Sequence, residues 1–405
     1  MSETRPDAVV VGGGVIGLAI AWRAARAGVQ VTLVDPGPGG AAVEGAATQA
    51  AAGMLAPVTE AQYGEQPLVR LGLAAARRYP EFVGELEQEA GAPVGYRACG
   101  TLAVAFDGDD LAALSDLHAY HQTLGLRSTV LRGRECRRLE PLLAPEARGG
   151  LLVEDDHQVD NRMLADALLR AATRAGVRVR RERAEQVLVR DGRVAGVLLA
   201  DGDRLAAGAV VLAAGCWSGR IGGLPDWALP PVRPVKGQIL RLRVPPAYAP
   251  LLSRTVRGLV RGGHVYLVPR EHGELVVGAT MEELGFDTQV TAGGAYELLR
   301  DARTLVPAIT ELPWVECRAG LRPGSPDNAP LIGASELAGL VVATGHHRNG
   351  ILLTPVTADA IAHLLATGET PELVRPFAPD RFAGQGPPGP PPAPQPEHAD
   401  QAVVR

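Results

Sequence analysis

The stretch VVVGGGVIGLAIAW (9–22) decides the fold. With Ala8 it begins as AVVV (8–11), a continuous β-branched run of the kind buried on both faces of a parallel sheet. Gly12-x-Gly14-x-x-Gly17 follows at once and opens a helix over 15–27. Gly12 allows the tight turn, Gly14 lets backbone approach a pyrophosphate, and Gly17 lets helix pack on strand. The helix N-terminus, entered through Val15 and Ile16, turns its amides toward an anion. The next strand, VQVTLV (29–34), ends at Asp35, placed to accept from a ribose hydroxyl and to disfavour a 2′-phosphate. A lone GxGxxG is a weak signal. Here strand, turn, helix and carboxylate agree on a dinucleotide site.

Working outward, NRMLADALLRAATRAG (161–176) has a helical period and is followed by the strand-like VRVR. Short strands flank the hairpin dipeptides Asp191-Gly192 and Asp201-Gly202, and AVVLAAG (209–215) is another buried strand. That order implies an α/β fold, a Rossmann-like doubly wound sheet with an inserted antiparallel piece. Residues 86–154 and 226–319 differ in character. HVYLVPR (264–270) and ELVVGATM (274–281) alternate apolar and polar, as half-buried antiparallel strands do. The expected division is therefore a discontinuous nucleotide domain (1–85, 155–225 and 320–383) interleaved with an α+β substrate domain (86–154 and 226–319). The proline-rich end, GQGPPGPPPAPQPEHADQAVVR (384–405), lacks large apolar groups to offset its ordering entropy and is expected to be disordered, a partner motif being the alternative.

The bulk properties exclude several roles. At 405 residues and 46% apolar content, the chain can build two or three domains' worth of core. A net charge of −5 offers no basic field for nucleic acid or anionic lipid. Lys236 is the only lysine, so arginine use reflects a composition bias and an arginine matters only by its position. Cys99, Cys136, Cys216 and Cys317 are scattered without a CxxC pair, which fits neither a disulfide framework nor zinc. No secretory leader pattern, bilayer-spanning stretch or basic amphipathic helix is expected, so the reducing cytoplasm is the expected compartment.

NAD and FAD both use this fingerprint. The inserted meander and a late return to the nucleotide domain favour FAD, whose ring lies far from its adenine. TQAAAGMLAP (48–57) is rich in small residues that let backbone approach a flat ring, with Thr48, Gln49, Ala52, Gly53 and Met54 as candidate contacts. AAGCWS (213–218) adds Ala214, Gly215 and Trp217 at a strand's C-terminal end. GHHRNGILLTP (345–355) admits a metal site, an anion site or a plain polar turn. Adjacent His346 and His347 diverge and have no carboxylate or cysteine cluster beside them, which disfavours a metal. Arg348, Asn349, Gly350, Ile351 and Leu352 enter a helix, whose free amides suit the negative charge of a reduced flavin near N1 and O2.

Together, VVVGGGVIGLAIAW (9–22), AAAGMLAP (50–57), HVYLVPR (264–270), VVGATME (276–282), AGLRPGSPDNAPLIG (319–333) and GHHRNGILLTP (345–355) carry a likeness. Over nearly all of the chain to about residue 383, it resembles the D-amino-acid-oxidase-like flavoprotein amine oxidases. The last three segments resemble the glycine-oxidase branch in particular. The resemblance places Arg322 against a substrate carboxylate, Tyr266 and Arg348 in the same pocket, and His264 and Met281 on its wall, where a closed Met281 would favour a small amino acid. Val187 joins the cofactor contacts. From pattern alone, Tyr266 and Met281 could equally be core, and Arg322 a solvated turn residue. Related sarcosine oxidases tether flavin to a cysteine near here; Gly320 takes that position, with Cys317 three residues earlier, so non-covalent FAD is expected. The resemblance further implies oxidation of glycine, sarcosine or D-alanine by oxygen to imine or glyoxylate, ammonia and peroxide. It also implies a link to thiazole synthase in thiamine biosynthesis and a homo-oligomer, a tetramer in the family. A D-amino-acid dehydrogenase with another acceptor, a sarcosine-oxidase-like enzyme and a non-enzymatic flavin-binding assembly protein are the competing readings.

Overall fold

The structure, a computed structural model, describes residues 7–41, 43–260 and 263–382. The expectation for 384–405 lies outside these residues. A six-stranded sheet runs in the order Leu331–Ala334, Leu340–Thr344, Ala209–Leu212, Ala8–Val11, Val31–Val34, Arg178–Arg180. Its pairs are parallel except the first, which is antiparallel. The strand period of two divides this sheet between two cores. Val10, Leu33 and Val211 face a cluster built with the helices Val15–Arg26, Gln66–Ala90, Asn161–Arg174 and Gly350–Thr367. Val9, Val11, Val34, Val210 and Leu212 face the three-stranded meander Ala184–Arg190, Arg193–Leu199, Arg204–Ala206. The continuous apolar run at 8–11 is thus buried on both sides, and the meander turns at Asp191-Gly192 with positive φ at both residues.

Two polar devices fasten the helices. Pro355 has no N–H for the carbonyl of Ile351 one turn earlier, and the buried Tyr79 hydroxyl donates to that oxygen at 3.1 Å. Glu85 accepts from Arg26 at 2.8 Å and from Arg78 at 2.7 Å and also meets Arg23 at 2.5 Å, while Arg23 and Arg78 reach Asp359 at 2.7 and 2.9 Å. Three helices are tied through this cluster. The helical stretch His347–Thr367 corrects one expectation: it is long and apolar enough to cross a membrane by length and composition. Its apolarity is used inside the fold, against Val15–Arg26 and Gln66–Ala90, and most of it is buried.

A second, nine-stranded sheet runs Gly45–Ala46, Trp314–Gly324, Arg233–Arg243, Glu274–Gly278, Gly263–Pro269, Thr255–Val260, Thr101–Ala105, Gly149–Val153, Thr129–Arg132. The antiparallel expectation needs amending at two joints. Thr255–Val260 pairs in parallel with Thr101–Ala105, and Gly45–Ala46 with Trp314–Gly324. The strand Trp314–Gly324 runs unbroken through residue 320. Alternation again assigns the faces. Leu240, Leu242, Val256, Val265, Leu267, Leu275 and Val277 pack beneath the helix Ala292–Leu305 through Leu298, Ala302 and Leu305. The opposite face carries Arg257, Tyr266, Gly278, Gly237 and Arg322 toward the six-stranded sheet, with Arg257 and Gly278 both directly opposite Tyr266.

Candidate active site

A cavity of about 1080 Å³ lies between the C-terminal ends of the parallel strands and this inner face, just above the roughly 300–1,000 Å³ usual for small-molecule sites. At one end stands the glycine turn. Gly12 has φ of 108°, and a Cβ there would sit 2.6 Å from the Ala213 carbonyl carbon, so both conformation and space require glycine. Gly14 is the N-cap of Val15–Arg26 and caps with no side chain; Val15 N–H donates to Thr48 Oγ1 at 3.2 Å. Asp35 accepts from Gly13 N–H and Gly37 N–H, both at 2.7 Å, and burial nevertheless raises its carboxyl above the usual range.

At another end the turn His347–Asn349 leads into Gly350–Thr367, whose N-cap Asn349 also makes no side-chain cap. Asn349, Gly350, Ile351 and Leu352 line the cavity. His346 is buried with Nε2 3.1 Å from Thr357 Oγ1, and burial pushes its pKa down to about 3. Burial, then Arg322 and Arg348, bring His347 to about 4. Both imidazoles are neutral at pH 7, so the positive character of this turn comes from helix amides and arginines. One cavity thus receives a glycine cradle and two helix N-termini whose own N-cap residues, Gly14 and Asn349, make no side-chain cap. The residues fit a long anionic dinucleotide such as FAD.

The substrate end is built on the second sheet. Arg322 Nη1 donates to Lys236 O at 3.3 Å and Thr280 O at 3.2 Å, and its charge acts on the Tyr266 phenol beside it. Among the described residues no carboxylate pairs with Arg322. Two glycines make this possible. A Cβ at Gly237 would lie 2.5 Å from Arg322 Cζ, and one at Gly278 would lie 2.4 Å from Tyr266 Cζ. Burial raises the Tyr266 pKa, keeping the phenol protonated. Arg348 Nε pairs with Glu60 Oε2 at 3.2 Å, Glu60 Oε1 accepts from Arg257 Nη1 at 2.7 Å, and the Gln62 amide oxygen accepts from Arg348 Nη2 at 2.6 Å. Burial works to raise the Glu60 carboxyl, but Arg257 and Arg348 outweigh it and hold it ionised.

With this geometry in place, the sequence matches the DAO family, FAD dependent oxidoreductase, over residues 7–364. The chain belongs to the DAO family. It is 37% identical over 384 residues to the bifunctional protein ThiO/ThiG of Synechocystis sp., covering 94% of this chain and 54% of that protein. It therefore spans about half the length of these bifunctional relatives. It is 36% identical to the glycine oxidase of Geobacillus kaustophilus, covering 94% of this chain and 98% of that one. The crystal structure of glycine oxidase from the same organism superposes with a TM-score of 0.83 over 93% of this chain and 99% of the other, at 35% identity. That of iminodiacetate oxidase from Chelativorans sp. BNC1 gives 0.82 over 92% and 98%, at 28% identity.

In this DAO-family chain most of the expected residues converge. Gly12, Gly14, Val15, Ile16, Asp35, Thr48, Ala52, Gly53, Met54, Ala214, Gly215 and Trp217 line the cavity, as do Arg322, Tyr266, Arg348, His264 and Met281. Three expected cofactor residues do not. Gly17 lies under the turn, where a Cβ would strike Gly12 O. Gln49 donates from Nε2 to Gly39 O at 2.7 Å and holds the loop. Val187 is in the core beneath the meander, and its neighbours Arg183 to Gln186 reach the cavity instead. Met281 is 74% exposed at the mouth, so it does not close the pocket. Arg322 lies within a strand and is no solvated turn residue. His264 is exposed on the rim, where partial loss of solvent and then the charges of Arg257 and Arg348 lower its pKa. Gly320 lines the cavity; Cys317 packs with the outer core, and burial pushes its thiol up to about 11.

Glu60, Gln62, Arg257 and Gly237 escaped the sequence reading. Arg257 had one signal, its place in the alternating strand Thr255–Val260, and that signal was drowned by the abundance of arginine. Glu60 sits in a loop without periodicity.

Proposed function

We propose that the chain is an amine oxidase that deaminates glycine, and other small amines such as sarcosine and D-alanine, to the imine, which hydrolyses to glyoxylate and ammonia, with oxygen reduced to hydrogen peroxide. The observation that carries this reading is the Arg322 guanidinium, which lines the cavity bonded to two carbonyls, with no carboxylate partner among the described residues. A planar fork already aligned and uncompensated is what a substrate carboxylate needs. FAD, when bound, supplies the two-electron oxidation of the carbon–nitrogen bond and passes the electrons to oxygen.

The protein's own groups hold and orient. Arg322 and Tyr266 fix the carboxylate, and the second sheet fixes both side chains. His264 and His347 stand neutral at the same end and so add no positive charge against an ammonium losing its proton. The glycine oxidase likeness supports the substrate class, and the ThiO/ThiG fusion supports a link to thiazole synthesis for thiamine. Four free cysteines agree with a reducing cytoplasm. The inert, outward Cys317 supports a non-covalent FAD, and a homo-oligomer follows from the family resemblance. The test is peroxide release across glycine, sarcosine, D-alanine and amines lacking a carboxylate, by yellow protein that gives up its FAD on denaturation. Absence of turnover on every amino acid, or oxidation of plain amines as readily as glycine, defeats the reading.

A further inference from the structure

The substrate end of the cavity gathers the guanidiniums of Arg257, Arg322 and Arg348, and the carboxylate of Glu60 is shared by two of them. Arg322 alone among the three is left to carbonyls and Tyr266. We infer that Glu60 is a specificity-determining residue: by occupying Arg257 and Arg348 it restricts the pocket to amines bearing one carboxylate. This rests on the amine-oxidase reading above.

Three observations carry it. Arg257 lies directly opposite Tyr266 in the sheet register, on the face that presents Tyr266 and Arg322. Arg257 and Arg348 line the same cavity as Arg322, so a second carboxylate on the substrate would find its cationic partners in them. Next, the loop that carries Glu60 is anchored from behind through its backbone. The fully buried Asp156 accepts from Val58 N–H and Thr59 N–H, both at 3.1 Å, and from the Thr59 hydroxyl. His121, also fully buried, is bonded through Nε2 to Val58 O at 2.8 Å, and the Tyr120 hydroxyl donates to Gln62 O at 2.9 Å. Finally, Glu60 already occupies donors that a second carboxylate would use. Arg257 Nη1 and Arg348 Nε are committed to Glu60, and Arg348 Nη2 to Gln62. A second carboxylate would have to approach the Glu60 carboxylate or displace it, and like charges brought together in a confined site are costly.

Glu60→Gln removes the charge and keeps the shape. The probes are glycine and its N-carboxymethyl derivative, iminodiacetate, given to the FAD-loaded enzyme. The parent should prefer glycine. In Glu60→Gln the ratio of kcat/KM for iminodiacetate to that for glycine should rise tenfold or more, and Glu60→Asp should stay near the parent ratio. Adding Arg257→Met to Glu60→Gln should remove most of the gain, a result that loosened structure would not produce. An unchanged ratio in Glu60→Gln, with glycine still oxidised, overturns the inference and leaves the amine-oxidase reading standing. No oxidation of glycine or any other amine by the parent defeats that reading instead. Should the Glu60 variants fail to fold, the parent decides: equal efficiency on iminodiacetate and glycine overturns the inference, and a preference for glycine of tenfold or more supports it.

Discussion

Gly237→Ala should inactivate the enzyme while leaving it folded. The added Cβ would lie 2.5 Å from Arg322 Cζ, whereas ordinary contact begins at 3.4 Å, so the guanidinium has to retreat by about 1 Å. Gly237 is not at a positive φ, so the backbone accepts alanine, and the strain falls on the tip of a flexible side chain. Stability loses the two bonds from Arg322 to Lys236 O and Thr280 O, about 0.5–1.5 kcal/mol each. It regains about 0.4–1 kcal/mol from the stiffer unfolded chain. The net change is at most about 2.6 kcal/mol. Function is less forgiving, because a misplacement of about 1 Å costs on the order of 100-fold. That is about 2.7 kcal/mol in kcat/KM for glycine, read from initial rates of peroxide release. FAD content and the thermal midpoint, measured on the same preparation, should stay close to the parent's. A Gly237→Ala enzyme within threefold of the parent on glycine would show that the guanidinium does not need this seat. One that loses its FAD or its fold would show that the glycine serves the cofactor or the sheet.

Arg322→Ala should lower kcat/KM for glycine roughly 30- to 3,000-fold, from the about 2–5 kcal/mol lost when a buried charged partner is truncated, with FAD content unchanged; Arg322→Lys should recover only part, since an ammonium cannot reproduce the fork. Tyr79→Phe strands the Ile351 carbonyl that Pro355 cannot serve, and chemical denaturation should report a loss of about 1–3 kcal/mol. Glu85 supplies a pH dependence: despite partial burial, its bonds to Arg78 and Arg23 bring its carboxyl from 4.5 to about 2. Its folded pKa is depressed, so the stability it adds is complete above about pH 4.5 and is lost as pH falls toward 2. At a quarter exposed the cluster is partly screened, so Glu85→Gln should cost about 1–2 kcal/mol at pH 7, and the difference from the parent should fade in denaturation curves taken toward pH 2.

Much of this was legible in the chain because it is local. A run such as AVVV, a glycine turn and a period of two or 3.6 are properties of adjacent residues, and backbone geometry converts them directly into strands, a phosphate-facing turn and assigned faces. The two-sided burial of Ala8–Val11, the hairpin at Asp191-Gly192 and the helix after His347–Asn349 were set in this way. Family likeness carried Arg322, Tyr266 and Arg348 to the pocket, which composition never could have done in a chain so rich in arginine.

Tertiary structure alone decided how the pocket is charged and who supports it. Glu60 and Arg257 are 197 residues apart, and they meet because a loop anchored by Asp156 is laid against one face of a nine-stranded sheet. Gly237 and Gly278 look like ordinary strand glycines until strand pairing brings Arg322 and Tyr266 over them. Packing of the meander set Val187 behind the cavity wall, the bond to Gly39 O turned Gln49 away from it, and Met281 was left exposed at its mouth. Sheet order and register are fixed by the burial of whole faces at once, so which distant residues become neighbours is a property of the assembled core and of no single segment.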